Sequence, residues 1–193
     1  MSSDEEVRIK VKKALQLLLL PKVRAPGVKG WELKRSLGKD YKRILEVLSS
    51  EIERIGLTIK VVNESGEIVT PLREEEEFDN ARYYIIFKDG VSLRDATTSG
   101  MSVDDMAALT IILSYLTAKH GKAPIKEVEK LLKEKLPKWK VEWNIGRFVR
   151  KGYLHREGEM LSLGWRSLVE VDLKSLLNLI LAAQLKENSE TQI

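Results

Sequence analysis

The sequence predicts an α+β protein, mainly helical, in which one order of elements occurs twice. Helix, helix, helix, strand, strand can be read from residue 5 to residue 87 and again from 102 to 163, roughly a hundred residues later. Between the two passages lies Asp89–Gly100, which carries Gly90, Gly100 and the cluster Thr97-Thr98-Ser99 and reads as a linker. The third observation is the stretch KWKVEWNIGRFVRKGYLHREGEMLSL, Lys138–Leu163, a short basic helix running into a tight two-stranded wing. Such a hairpin cannot stand alone in water, so the helices before it must supply a layer beneath it.

In the first passage, residues 5–20 place Val7, Val11, Ala14, Leu15 and Leu18 on one side of a helix, and Pro21 ends it. After the loop PKVRAPG, Val28–Leu37 reads as a second helix stopped at Gly38. Asp40 is the expected N-cap of a third, with Tyr41, Ile44, Leu45, Leu48, Ile52 and Ile55 buried and Gly56 closing it. Leu57–Val62 and Tyr83–Phe87 are strands; residues 63–82 between them are expected to be a loop, whose run Glu74–Glu77 is too charged to pack.

In the second passage, Ser102 with Asp105 three residues on resembles a capping box opening an apolar helix to about Lys119, and Gly121 breaks it. Pro124 stands where a first helical turn tolerates proline; Ile125, Val128, Leu132 and Leu136 line the helix that Pro137 terminates. In the basic helix, Ile145, Phe148 and Val149 recur at the spacing of a buried stripe, so Asn144, Arg147, Arg150 and Lys151 are expected to face water or a partner. Lys140, Asn144, Arg147 and Lys151 follow one another at i, i+4, i+7 and i+11. Gly152 stops the helix, Tyr153–Glu157 and Met160–Leu163 are strands, and Glu157-Gly158-Glu159 is the turn. A last helix from about Val171 to Lys186 carries leucines on more than one narrow face, so it should lie between the domains or against a partner, inter-domain core being the plainer reading.

This order describes two tandem winged helix-turn-helix domains plus a C-terminal helix. Residues 1–88 form the first domain, 89–101 the linker, 102–171 the second domain, and 172–193 the final helix and tail.

Apolar residues make up 43% and charged residues 32% of the chain, as in soluble globular proteins. The absence of cysteine excludes disulfides and thiolate metal sites. The longest apolar runs, such as Leu17–Leu20 and Ala107–Leu113, fall well short of the roughly 18 to 20 residues that cross a bilayer, so no membrane partner is expected. The start, MSSDEEVRIK, is acidic where a secretory signal is basic. The expected location is the cytoplasm in association with the nucleoid, or the nucleus if the source is eukaryotic.

The net charge of +4 is concentrated: Lys119–Arg156 holds 12 Lys or Arg against 4 Glu, a local balance of +8. That is the footprint of a phosphate-binding surface. A winged helix lays its third helix in the major groove with the wing beside the backbone. Lys138, Lys140, Arg147, Arg150, Lys151 and Arg156 are therefore expected at phosphates or base edges of double-stranded DNA, with Asn144 the neutral residue able to pair with adenine. The third helix of the first domain mixes Lys42, Arg43, Glu46, Glu51, Glu53 and Arg54, which suits protein contact better. His120 and His155 fall at a helix end and in a strand, with no motif for a metal site, and no glycine-rich stretch ends in the Lys-Ser/Thr of a phosphate loop. No cofactor, metal or catalytic activity is expected.

With this order established, the chain resembles the MAGE homology domain and, more broadly, the KITE proteins, the kleisin-interacting tandem winged-helix subunits of SMC complexes. The likeness runs from about residue 9 to residue 181. Its pieces are ALQLLLLPKVRAPGVKGWEL at Ala14–Leu33, DYKRILEVLSSEIERIGLTI at Asp40–Ile59, YYIIF at Tyr83–Phe87, MAALTIILSYLTAKHGKAPIKEVEKLL at Met106–Leu132 and RFVRKGYLHRE at Arg147–Glu157. The family usually carries Trp-Gly-Pro-Arg after the second wing, where this chain has Gly164-Trp165-Arg166, and the wing is shorter than in animal MAGE proteins. A divergent or prokaryotic relative is implied. In the family, leucines of the first helix help to engage a partner; the matching positions are Leu17–Leu20, of which Leu17, Leu19 and Leu20 are the candidate contacts and Leu18 is expected in the core.

Two functions fit. One is an accessory subunit of a chromosome-organising SMC complex that binds duplex DNA and a kleisin or another protein of the complex. The other is a stand-alone winged-helix transcription regulator or initiation factor. A second copy of the chain is a further candidate partner.

Overall fold

The computed structural model describes residues 3–20, 26–63, 68, 75–89, 100–178 and 182. The chain divides into two units, Met1–Val91 and Ser92–Ile193.

In the first unit, α1 (Ser3–Leu19) opens on Asp4, Glu5 and Glu6, whose charges suit the positive end of the helix dipole. It buries Val11 and Ala14. The expected second helix is divided. Val28–Lys29 is a short strand, β1, and the helix proper, α2, is Gly30–Leu37. The reason is pairing, since Val28 and Lys29 lie antiparallel to Tyr83 and Arg82. Gly30 has a packing role at that junction, where a Cβ would overlap the Phe78 carbonyl oxygen. Helix α3 (Tyr41–Glu53) buries Tyr41, Ile44, Leu45, Leu48 and Ile52. Ile55, expected on the same face, lies past the end of α3 and is exposed.

Strand β2 (Leu57–Val62) pairs along its length with β3 (Arg82–Phe87), giving the sheet order β1-β3-β2. The segment expected to be all loop holds a helix, α4 (Glu75–Asn80). Its end is pinned: Phe78 packs on the core under the Lys42 ammonium, and Asp79 accepts hydrogen bonds from Lys34 at 2.6 Å and the Tyr41 hydroxyl at 3.0 Å.

The second unit repeats the plan. Helix α5 (Val103–Ala118) is apolar on nearly every side because it runs through the middle of its core, burying Ala108, Leu109, Ile112, Leu113 and Leu116. The capping box is formed: Asp105 N–H donates to the Ser102 hydroxyl at 3.1 Å, and Ser102 N–H to the Asp105 carboxylate at 2.9 Å. Strand β4 (Lys122–Pro124) leads directly into α6 (Ile125–Lys133), which ends before the expected Leu136. Helix α7 (Lys138–Arg150) starts on Pro137 and ends at Gly152, whose φ of +81° is the left-handed conformation that terminates helices. Phe148, in its last turn, is fully buried in the core of the second unit and contributes about 2 to 3 kcal/mol by leaving water.

Strands β5 (Leu154–Glu157) and β6 (Met160–Leu163) form the wing around the two-residue turn Gly158-Glu159, and β4 joins β6 to give the order β4-β6-β5. A short helix, α8 (Trp165–Glu170), follows where the sequence carries no helical period long enough to show it. It seats the Gly164-Trp165-Arg166 sequence at the base of the wing: a Cβ on Gly152 would overlap the Trp165 ring, and Arg166 lies 4.4 Å over the Tyr153 ring. Residues 173–178 are helical, as is Ala182, and the remainder of the expected last helix falls outside the described residues. Leu173 and Leu176 pack against the core of the second unit. Of the expected linker, only Asp89, Gly100 and Met101 are described, and Met101 is buried in the second core.

Candidate functional site

Helix α7 and the wing carry most of the residues expected to touch DNA, and the structure sets the helix at a different rotation. Its buried stripe is Val141, Asn144, Ile145 and Phe148. Asn144, expected to point outward at adenine, is fully buried, and neither side-chain amide atom meets a hydrogen-bond partner. The cause is Val141, one turn before Ile145 and two before Phe148, which draws the stripe toward Asn144.

The row Lys140–Arg147 consequently lies along the flank facing the first turn of α5. Lys140 Nζ is 2.6 Å from Asp104 Oδ2, and Arg147 Nη1 is 2.7 Å from Asp105 Oδ2. The second amine of Arg147 donates to the Gly100 carbonyl, and its guanidinium stacks on the Trp143 ring at 4.8 Å. Burial pushes the Asp105 carboxyl up, but the hydrogen bonds with Ser102 and the Arg147 charge outweigh it and hold the group below the ordinary aspartate value. These two cations are engaged by the protein's own carboxylates.

The other four remain at the surface. Lys138 and Arg150 are exposed at the two ends of α7, Lys151 is half-buried, and Arg156 on β5 is exposed with its Nε donating to the Gly158 carbonyl at 3.1 Å. Between α6, α7 and β5 runs a groove of about 250 Å³ lined by Ile125, Glu129, Glu142, Ile145, Gly146, Val149 and Arg156. Its floor is aliphatic. Glu129 is held by Lys133 at 3.0 Å, and Gly146 keeps the middle of the groove open because no side chain rises from the helix there.

In the first unit, Leu19 and Leu20 are exposed at the end of α1, while Leu17 and Leu18 are half-buried against the core. Leu17 thus belongs partly to packing. His120, with φ +57°, and His155 are both exposed. Among the described residues, no group of three or more His, Asp or Glu is placed to hold a metal ion, and no helix is long and apolar enough to cross a membrane.

Two exposed side chains on α7 escape the sequence reading, Trp139 and Trp143. Their spacing of one helical turn is the available signal. Of the partners of the basic row, Asp105 shows in the sequence only as a capping residue, and Asp104 carries no signal there.

Each unit has the element order of a winged helix-turn-helix: helix, strand, helix, helix and hairpin closed by a three-stranded antiparallel sheet. No protein-family model and no curated protein matches the chain. It is similar to a chain of a solved structure described as "Nse1-Nse3-Nse4 complex", with a TM-score of 0.56 and 18% identity over 95% of this chain and 92% of that one. At that identity the likeness is one of fold alone.

Proposed function

We propose that this chain is a non-catalytic accessory subunit of an SMC-type chromosome-organising complex. The observation that carries the reading is the extent of the fold likeness, which covers both winged-helix units rather than one. A single winged helix is shared by many unrelated functions, whereas two in this order are a narrower pattern. The MAGE and KITE resemblance in the sequence supports the same reading.

Two surfaces serve the role. The groove between α6, α7 and the wing takes an apolar side chain from a protein partner, for which a kleisin is the proposed source, with Glu142 at its edge to meet a cation. Lys138, Arg150, Lys151 and Arg156 contact the phosphates of duplex DNA. With Asn144 buried, these contacts carry little base information.

The test is isolation of the full chain together with the kleisin subunit of its own organism's SMC complex. The reading expects a stable complex and duplex binding without a preferred site. A chain that ignores every kleisin and protects one defined operator is instead a stand-alone regulator.

A further inference from the structure

The face of α7 that points furthest from its core is aromatic. Trp139 and Trp143, one turn apart, are 69% and 49% exposed, and Arg150 follows on the same side. Glu142, the acid of this helix, is turned to the flank that lines the groove. Trp143 is braced, because the guanidinium on one of its ring faces is itself fixed by Asp105 and Gly100. Lys135 and Lys138 stand exposed beside the start of the helix.

This composition is poorly matched to a duplex groove. Base edges are read by several hydrogen bonds, and an indole offers a single N–H donor on a wide rigid ring. It is well matched to bases whose faces are open, which stack on exposed aromatic rings while nearby cations hold the backbone. A protein segment could also cover two tryptophans, but the surrounding +8 balance of Lys119–Arg156 favours a polyanion.

From the exposed Trp139–Trp143 pair, the braced ring and the lysines around it, we infer that the outer face of α7 is a stacking platform for single-stranded nucleic acid. The bound strand lays successive bases on the two indoles, with its phosphates toward Lys135, Lys138 and Arg150. This site is separate from the partner groove and does not depend on membership of an SMC complex.

The experiment titrates the full chain with a 20-nucleotide oligothymidylate and a 20-base-pair duplex, following tryptophan fluorescence and the anisotropy of a label on the nucleic acid. The single strand should quench the protein's fluorescence. The double variant Trp139→Ala/Trp143→Ala should weaken single-strand binding by about tenfold or more, as expected for lost base stacking, and duplex binding by less than about twofold. Trp139→Phe/Trp143→Phe should retain single-strand binding within a few-fold. Trp139→Ala alone, at the more exposed position, should give a partial loss and guards against misfolding of the double variant.

No binding of the oligothymidylate overturns the inference. So does single-strand affinity unchanged in the alanine variants, or an equal loss for strand and duplex. Loss of protein-partner capture with single-strand binding intact reassigns the platform to a protein.

Discussion

Arg147 Nη1 lies 2.7 Å from Asp105 Oδ2, and both side chains are largely withdrawn from water, 16% and 5% exposed. The pair joins the third helix of the second unit to the capping box of its first. Asp105 therefore serves as helix cap and counter-ion together. Removing one partner of such a pair strands a buried charge, so Arg147→Ala or Asp105→Ala should each cost about 3 kcal/mol. Urea unfolding midpoints of the two variants against the parent check this.

Acid should act through the same carboxylate. Its folded value is lowered, so its contribution is fully present above the unfolded aspartate value of about 3.9 and is lost as pH falls through the folded value. Asp79, lowered chiefly by the Lys34 hydrogen bond, acts in the same direction in the first unit. Stability measured from pH 7 down to pH 2 should fall below about pH 4, and Asp105→Asn should flatten part of that fall.

Asn144 makes a contrary prediction. A buried amide without partners costs desolvation and returns no hydrogen bond, so an apolar side chain of similar shape should be better tolerated. Asn144→Leu is expected to raise the unfolding free energy by about 1 kcal/mol and to leave DNA affinity unchanged. A drop in DNA affinity in a folded variant would return Asn144 to the binding surface.

The four surface cations predict the salt dependence of duplex binding. Four phosphate contacts give a slope of log affinity against log salt near about −3.6. Replacing Arg150, Lys151 and Arg156 with Glu leaves Lys138 and should flatten the slope to about −0.9, with a large loss of affinity at low salt. Titrations at several salt concentrations decide it, and a parent slope near zero would count against phosphate binding.

Much of this fold is legible in the sequence because it rests on apolar periodicity and chain-breaking residues. Tyr41 to Ile52 and Ile125 to Leu132 repeat at helical spacing, and Pro137, Gly152 and Gly158 stand at the boundaries that their backbone preferences dictate. What the sequence hides is short or long-range. Val28–Lys29 and Lys122–Pro124 are too brief to show a period and become strands by pairing with residues far along the chain. The acidic α4 is held by Phe78 and Asp79, whose partners lie in α2 and α3. The rotation of α7 turns on Val141, which a stripe drawn through Ile145, Phe148 and Val149 leaves out, and the fate of Lys140 and Arg147 depends on two aspartates 36 and 42 residues earlier.

The groove rests on Gly146. A Cβ there meets the end of the Arg150 side chain at 3.6 Å, an ordinary contact, so alanine fits without disturbing the backbone. Gly146→Ala should stabilise the helix by about 0.5 to 1 kcal/mol. Gly146→Phe should fill the groove and displace the end of the Arg150 side chain, and a circular dichroism spectrum matching the parent's checks that the variant is folded.

The most direct measurement of the account is calorimetric titration of the kleisin subunit into the full chain and into its Gly146→Phe variant. The parent chain should bind one-to-one, and the variant should bind about tenfold or more weakly. Absence of any kleisin binding by a parent chain that is folded and still binds duplex DNA would contradict it.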